Sequence, residues 1–497
     1  LRGTAKLHII GSGTVILSGT NTYSGATTVS AGTLLISNNA GLGSTAGATT
    51  INSGATLDLY NVTIGAEAIT LAGGTLRDVT SSLAGNITLT ADSTLSADTG
   101  DTLTLSGVIS GSYGITKTGA GTVVLSNNNT YTGTTTISAG TLNVTGTLSN
   151  STAVSVATGA AYIVGADDTV ASIAGAGNIT LTGSLTAGDT PDTTFSGVMS
   201  STGSFTKVGS GTLTLSGTNT YTGGTTISVG RIITSSTGTL GSSTGNLTLA
   251  SGAILDILNS LAVGTLVMSS DGTSQIVSSA GSSSFTVSGT SSLAGAITTS
   301  GVQTYTGSVS LSGNTTITTT NSAVSFASTV NSASSTARDL NITAGSGDVT
   351  FTGAVGNTYA LGAIAVDSTG TTTFGSTVNA ASVTTNTGGT TVLNGNVTTT
   401  GAQTFNDAVT VSNQITLSAS DLTFASTITG TTAGSITINA TGYLYLSATN
   451  FDNSLLNSDL TYGDSASAIP YSISSYGSLI FNAKLMLAHD ISIYSNS

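Results

Sequence analysis

Apolar and polar positions alternate with period two along most of the chain, in stretches of four to seven residues. Val15 and Leu17 share one parity, as do Val123 and Leu125, and Leu213 and Leu215. The positions around them are mostly Thr and Ser. Such alternation in β-branched residues predicts half-buried strands. Clusters of Gly, Asn and Ser interrupt it, where turns need positive φ or a side chain that caps its own backbone. Every predicted element is a short strand or a turn.

The strands fall into repeats. Gly11 opens GSGTVILSGTNTYSGATTVSAGTLLI, Gly119 opens GAGTVVLSNNNTYTGTTTISAGTLNV, and Gly209 opens GSGTLTLSGTNTYTGGTTISVGRIIT. The copies align without a gap and superimpose Asn21, Asn129 and Asn219; Tyr23, Tyr131 and Tyr221; Gly25, Gly133 and Gly223; and Gly32, Gly140 and Gly230. A second repeat family follows, built on an aromatic, small polar residues and a β-branched residue. Its aromatics are Tyr305, Phe326, Phe351, Phe374, Phe405 and Phe424, spaced on average about 24 residues apart. A period of 20–25 residues is that of a solenoid with one coil per repeat. The predicted fold is therefore an all-β parallel β-helix. At about three strands per coil, the length accommodates about 21–23 coils. The expected organisation is 1–300 with the first repeat type, 301–440 with the second, and 441–497 as an atypical coil, a cap or the start of a further domain.

Composition agrees and narrows the function. Of 497 residues, 6% are charged and 65 are glycine, while 99 are threonine and a single one, Glu67, is glutamate. An ordinary soluble domain is about 25% charged. In a solenoid each residue stacks on its own equivalent, so like charges would repel along the whole ladder, and threonine covers a strand surface without charge. The net charge of −13 comes with no basic patch, which excludes nucleic acid as an expected partner. No apolar run of 18 residues predicts membrane insertion, and no series of ten-residue amphipathic strands predicts an outer-membrane barrel. Cysteine is absent, so no disulfide framework exists.

The three long copies resemble the passenger-associated transport repeat of bacterial autotransporters. The units Gly301–Tyr305 and Gly401–Phe405, each Gly-x-Gln-Thr-aromatic, resemble repeats of filamentous-haemagglutinin-type surface proteins. The resemblance implies a right-handed β-helix passenger, secreted or held at the outer surface of a Gram-negative cell. It also implies repeats that serve export and folding rather than catalysis. The third copy departs from the other two at Arg231 and Thr234.

Candidate chemistry is sparse. His8 and His489 lie at opposite ends of the chain, and His489–Asp490 is a chance neighbour pair. The acidic pairs Asp98/Asp101, Asp167/Asp168 and Asp189/Asp192 are the best local candidates for Ca²⁺ binding or glycoside chemistry. The latter two read as turns in which Asp caps its own backbone. No cofactor is expected. The recurring tyrosines predict corner aromatics with surface hydroxyls, the asparagines turn or ladder residues, and Lys117 and Lys207 solvated repeat lysines. The expected function is a non-enzymatic extracellular adhesin stalk. Its partners would be cell-surface or matrix carbohydrate or protein. A self-assembling filament of end-to-end copies and a carbohydrate-active enzyme are the alternatives.

Overall fold

In the computed structural model the chain is a β-solenoid of about 21 turns in which the strands of successive coils pair in parallel. It describes residues 1–430, 435–446, 473–475, 484–487 and 493–495. The reading of 441–497 as a cap, and His489 with Asp490, therefore fall largely or wholly outside the described residues. Among the described residues, no helix is long and apolar enough to cross a membrane. The chain divides into two compact units, Leu1–Gly245 and Asn246–Ser497.

In the first unit, Leu7 pairs with Thr27, Thr27 with Thr49, Thr49 with Ile69, and Ile69 with Ile87. One coil therefore takes 18 to 22 residues. Three strands make a coil: Ile69–Ala72, Thr75–Val79 and Ser81–Leu83 form one, and Ile87–Ala91, Ser93–Ala97 and Thr102–Leu105 the next. The alternation decides what faces inward. Val29, Ile51, Leu71 and Leu89 stack in register and are buried. Thr28, Thr50, Thr70 and Thr88 form the matching outward ladder. Burying each inward aliphatic is worth about 1.5–3 kcal/mol, and the ladder bonds satisfy the backbone.

In the second unit, a nine-stranded parallel sheet carries the first four repeat aromatics. Tyr305, Phe326, Phe351 and Phe374 stack face to face, with centroids 4.9–5.2 Å apart and planes within 10° of parallel. That distance is close to the strand spacing of about 4.8 Å, so the backbone ladder dictates the ring stack. Phe405 and Phe424 belong to a different ladder. Phe405 pairs with Thr385 and stacks on Phe424 at 5.6 Å, while Phe374 pairs with Leu393. The six aromatics thus share a sequence motif but not one register, because a coil of variable length carries the motif from one face to another.

Candidate functional site

Each long repeat spans two successive coils and stacks on itself. Val15 and Leu17 pair with Leu34 and Ile36, Val123 and Leu125 with Leu142 and Val144, and Leu213 and Leu215 with Ile232 and Thr234. Thr234 is fully buried in place of the aliphatic residue of the other copies. The second glycine of the repeat joins the two coils at close quarters. Gly140 has φ +64°, and a Cβ there would lie 2.4 Å from the carbonyl oxygens of both Gly119 and Gly121. Gly32 (φ +68°) and Gly230 (φ +78°) are equally crowded. Gly25, Gly133 and Gly223 lie against backbone of the preceding coil, at 2.2 to 2.6 Å from a would-be Cβ.

The asparagines bridge coils. Asn129 Oδ1 accepts from the Ile109 amide at 3.0 Å, and its Nδ2 donates to the Asn127 and Thr147 carbonyls at 2.8 and 3.1 Å. Asn219 does the same with the Met199 amide and the Gly217 and Thr239 carbonyls. Asn21 Nδ2 donates to the Gly41 carbonyl at 2.7 Å. A side chain with both donor and acceptor is required, because the coil below offers an N–H and the coil above a C=O.

The tyrosines differ from expectation. Their hydroxyls are buried rather than at the surface. Tyr131 and Tyr221 are fully inaccessible, and each hydroxyl meets the threonine four residues on, Thr135 or Thr225, at 2.6 Å. Tyr23 meets Thr27 at 2.7 Å. Those threonines occupy inward strand positions, where an unpaired hydroxyl is costly. The tyrosine supplies the partner, and burial raises the phenol pKa of Tyr131 and Tyr221 well above the usual range. Thr49 takes the same inward position in a coil without the tyrosine, and donates instead to Glu67 Oε1 at 2.8 Å. Glu67 is buried, and desolvation pushes its carboxyl up to about 7.

The lysines also differ. Lys117 and Lys207 are not solvated; both are 1% exposed or less. Lys117 sits in the inward ladder between Leu95 and Ile137. Its Nζ donates to the carbonyls of Thr118 and Gly119 at 2.8 Å and of Ala139 at 3.1 Å. Lys207 Nζ donates to the Val208 and Gly209 carbonyls at 2.7 Å and reaches Val229 at 3.5 Å. Each stem packs in the core while its ammonium ties the Gly-x-Gly turn to the turn of the next coil. Burial lowers Lys117 to about 8. In the first copy this position is Ile9. Parity was the overlooked signal: Lys117 shares the inward parity of Ile115, and Lys207 that of Phe205.

Asp168 is likewise not a turn residue. It opens the strand Asp168–Val170 and is buried, accepting from the Leu148 amide at 3.1 Å and the Tyr162 hydroxyl at 3.2 Å. Its neighbour Asp167 is exposed and accepts from the Ser184 amide at 2.8 Å. Asp189 accepts from the Thr190 amide beside it, and Asp192 from the Thr212 amide one coil on. Asp98 pairs with Arg77 at 2.7 Å on the surface, and Asp101 accepts from Thr80. His8 meets Ser30 at 2.7 Å. Among the described residues, no three His, Cys, Asp or Glu side chains converge as metal ligands. The groups with strongly raised carboxyl pKa values, Glu67 and Asp78, are both sealed in the core. A general acid must reach its substrate.

No curated protein and no solved structure matches the chain. The family model described as the passenger-associated-transport-repeat matches residues 10–36, 115–144 and 205–233, so the chain carries three repeats of the kind found in autotransporter passengers.

Proposed function

We propose that the chain is a non-enzymatic adhesin stalk presented outside a Gram-negative cell. The observation that carries this reading is the set of three matched repeats, each built into a β-solenoid ladder whose inward polar groups are spent on one another. The repeat family points to a secreted or surface-held passenger. The buried lysines, tyrosines and asparagines stabilise coils rather than face a substrate. The outward face is sparsely charged and rich in threonine, and recurs coil after coil, so it offers many equivalent weak contacts. Multivalent contact raises avidity by orders of magnitude without one strong site.

The test is adhesion of beads coated with the purified chain to bacterial or host-cell surfaces. Coated beads should adhere above uncoated ones, and adhesion should rise steeply with coating density. Beads that never adhere would overturn the reading. Long uniform filaments in electron micrographs at low protein concentration would replace it with a self-assembling matrix subunit.

A further inference from the structure

Two successive corners of the first unit hold non-glycine residues in a conformation that the chain mostly gives to glycine. Among the described residues, 23 glycines have positive φ against four residues of other types. Asn61 (φ 51°) and Thr80 (φ 47°) are two of those four, and they occupy the same corner of successive coils. Glycine would take this conformation without strain, and threonine is a costly choice because its branched Cβ crowds the backbone. The chain therefore keeps two polar side chains where its habit is to remove them.

Both side chains line one open groove of about 440 Å³. Thr63, Ser82 and Thr104 form its bed, stacked in register on three successive coils. Asn39 borders it and accepts from the Thr63 amide at 2.9 Å. Thr80 Oγ1 is oriented by Asp101 Oδ1 at 3.2 Å. The lining holds amides, hydroxyls and the side chain of Val62, and no Lys, Arg, Asp or Glu. Tyr60, the residue before Asn61, is 48% exposed, unlike the buried repeat tyrosines.

This chemistry selects a ligand class. A neutral groove gives an ionic ligand no counter-charge, and Asp101 against Thr80, with the net charge of −13, repels anions. Amides and hydroxyls each donate and accept, which suits a chain of vicinal hydroxyls. An exposed tyrosine offers an apolar face with a polar edge for the C–H face of a sugar ring. The size falls within the range of small-ligand sites. We propose that the Asn61–Thr80 groove binds a segment of a neutral polysaccharide, with the exposed Tyr60, outside the lining and next to Asn61 in sequence, as a flanking stacking platform. This names the partner class for the adhesin reading and rests on it.

The experiment is affinity electrophoresis of the full chain in native gels containing hydroxyethyl cellulose, galactomannan or laminarin, with alginate as the anionic comparison. The wild-type chain should be retarded in at least one neutral gel and not in alginate. Filling the outward bed with Ser82→Met and Thr104→Met should weaken retention about tenfold or more. Tyr60→Ala, a change at an exposed side chain, should weaken it about fivefold with unchanged circular dichroism. Equal retention of wild type and both variants, retention in alginate alone, or no retention in any neutral gel would overturn the proposal. The bead assay separates the two levels. If groove-filled protein still adheres as well as wild type, the groove falls and adhesion stands. If wild-type beads do not adhere, adhesion itself falls.

Discussion

The Tyr305 hydroxyl donates to Gln303 Oε1 at 2.9 Å in the core of the second unit, and 100 residues later Phe405 leaves Gln403 Oε1 without that donor. The two glutamines are otherwise held alike. Gln303 Nε2 donates to the Ile297 and Thr318 carbonyls and to Thr299 Oγ1, and Gln403 Nε2 to the Val397 and Ser418 carbonyls and to Thr399 Oγ1. A buried acceptor without a donor costs about 1–3 kcal/mol. Tyr305→Phe should therefore destabilise its coil by about that amount. Phe405→Tyr should stabilise the later one by about 1 kcal/mol. Hydrogen exchange over residues 297–305 and 397–405 measures both, since a solenoid opens locally before it unfolds as a whole.

The buried lysines can be tested by removing only the charge. Lys117→Met keeps a long apolar stem but leaves the Thr118, Gly119 and Ala139 carbonyls without their ammonium donor. The loss should be about 1–3 kcal/mol, read as faster exchange across 115–144. Lys117→Glu should prevent the turn from closing, because a buried carboxylate would face three carbonyl oxygens. If both variants match wild type, the ammonium contributes nothing to the turn.

Gly140→Ala should be among the most damaging small substitutions. It adds a Cβ at φ +64° and places it 2.4 Å from two carbonyl oxygens of the preceding coil. Strain and clash together should exceed about 3 kcal/mol. Ala139→Ser, one residue away and half-exposed, should fall within about 0.5 kcal/mol of wild type. Thermal unfolding of the two variants side by side makes the comparison.

Glu67 makes stability depend on pH. The folded chain keeps its proton up to about pH 7, whereas an unfolded glutamate releases it near about 4.3. Between those values the folded state binds more protons, so this contribution is fully present in acid and is lost as pH rises through about 7. Asp78, raised by burial to about 6, acts in the same direction. Glu67→Gln keeps an acceptor for Thr49 and removes the titration. It should match wild type near pH 4 and exceed it at pH 8 by on the order of 2 kcal/mol. Melting curves of both proteins from pH 4 to pH 8 should diverge; parallel curves would rule out the linkage.

The fold was legible because a solenoid writes its geometry into the chain. Period-two alternation set the strands, a period of 20 to 25 residues set the coil, and the ungapped copies located Asn129, Tyr131 and Gly140 at one place in the repeat. The site-level reading was weaker for a definite reason. Sequence shows residue type, and type alone made Lys117 and Lys207 look solvated and Tyr131 look half-wet. Their burial follows from strand parity, which places them inward, and from carbonyls and hydroxyls contributed by residues one coil away.

By itself, then, the sequence determined the class of fold, the coil period, the repeat family and the scarcity of charge, since these depend on local alternation and on each residue stacking against its own equivalent. Only the tertiary structure decided which polar groups satisfy one another. It joined Lys117 to Ala139, Asn129 to Ile109 and Glu67 to Thr49. It also moved Phe405 off the ladder of Phe374 and gathered Asn39, Asn61 and Thr80 around one groove. Each of those relationships joins residues about 18 to 40 positions apart. Such residues meet only when the lengths of the intervening turns are fixed, and a variable turn length carries no periodic signal along the chain.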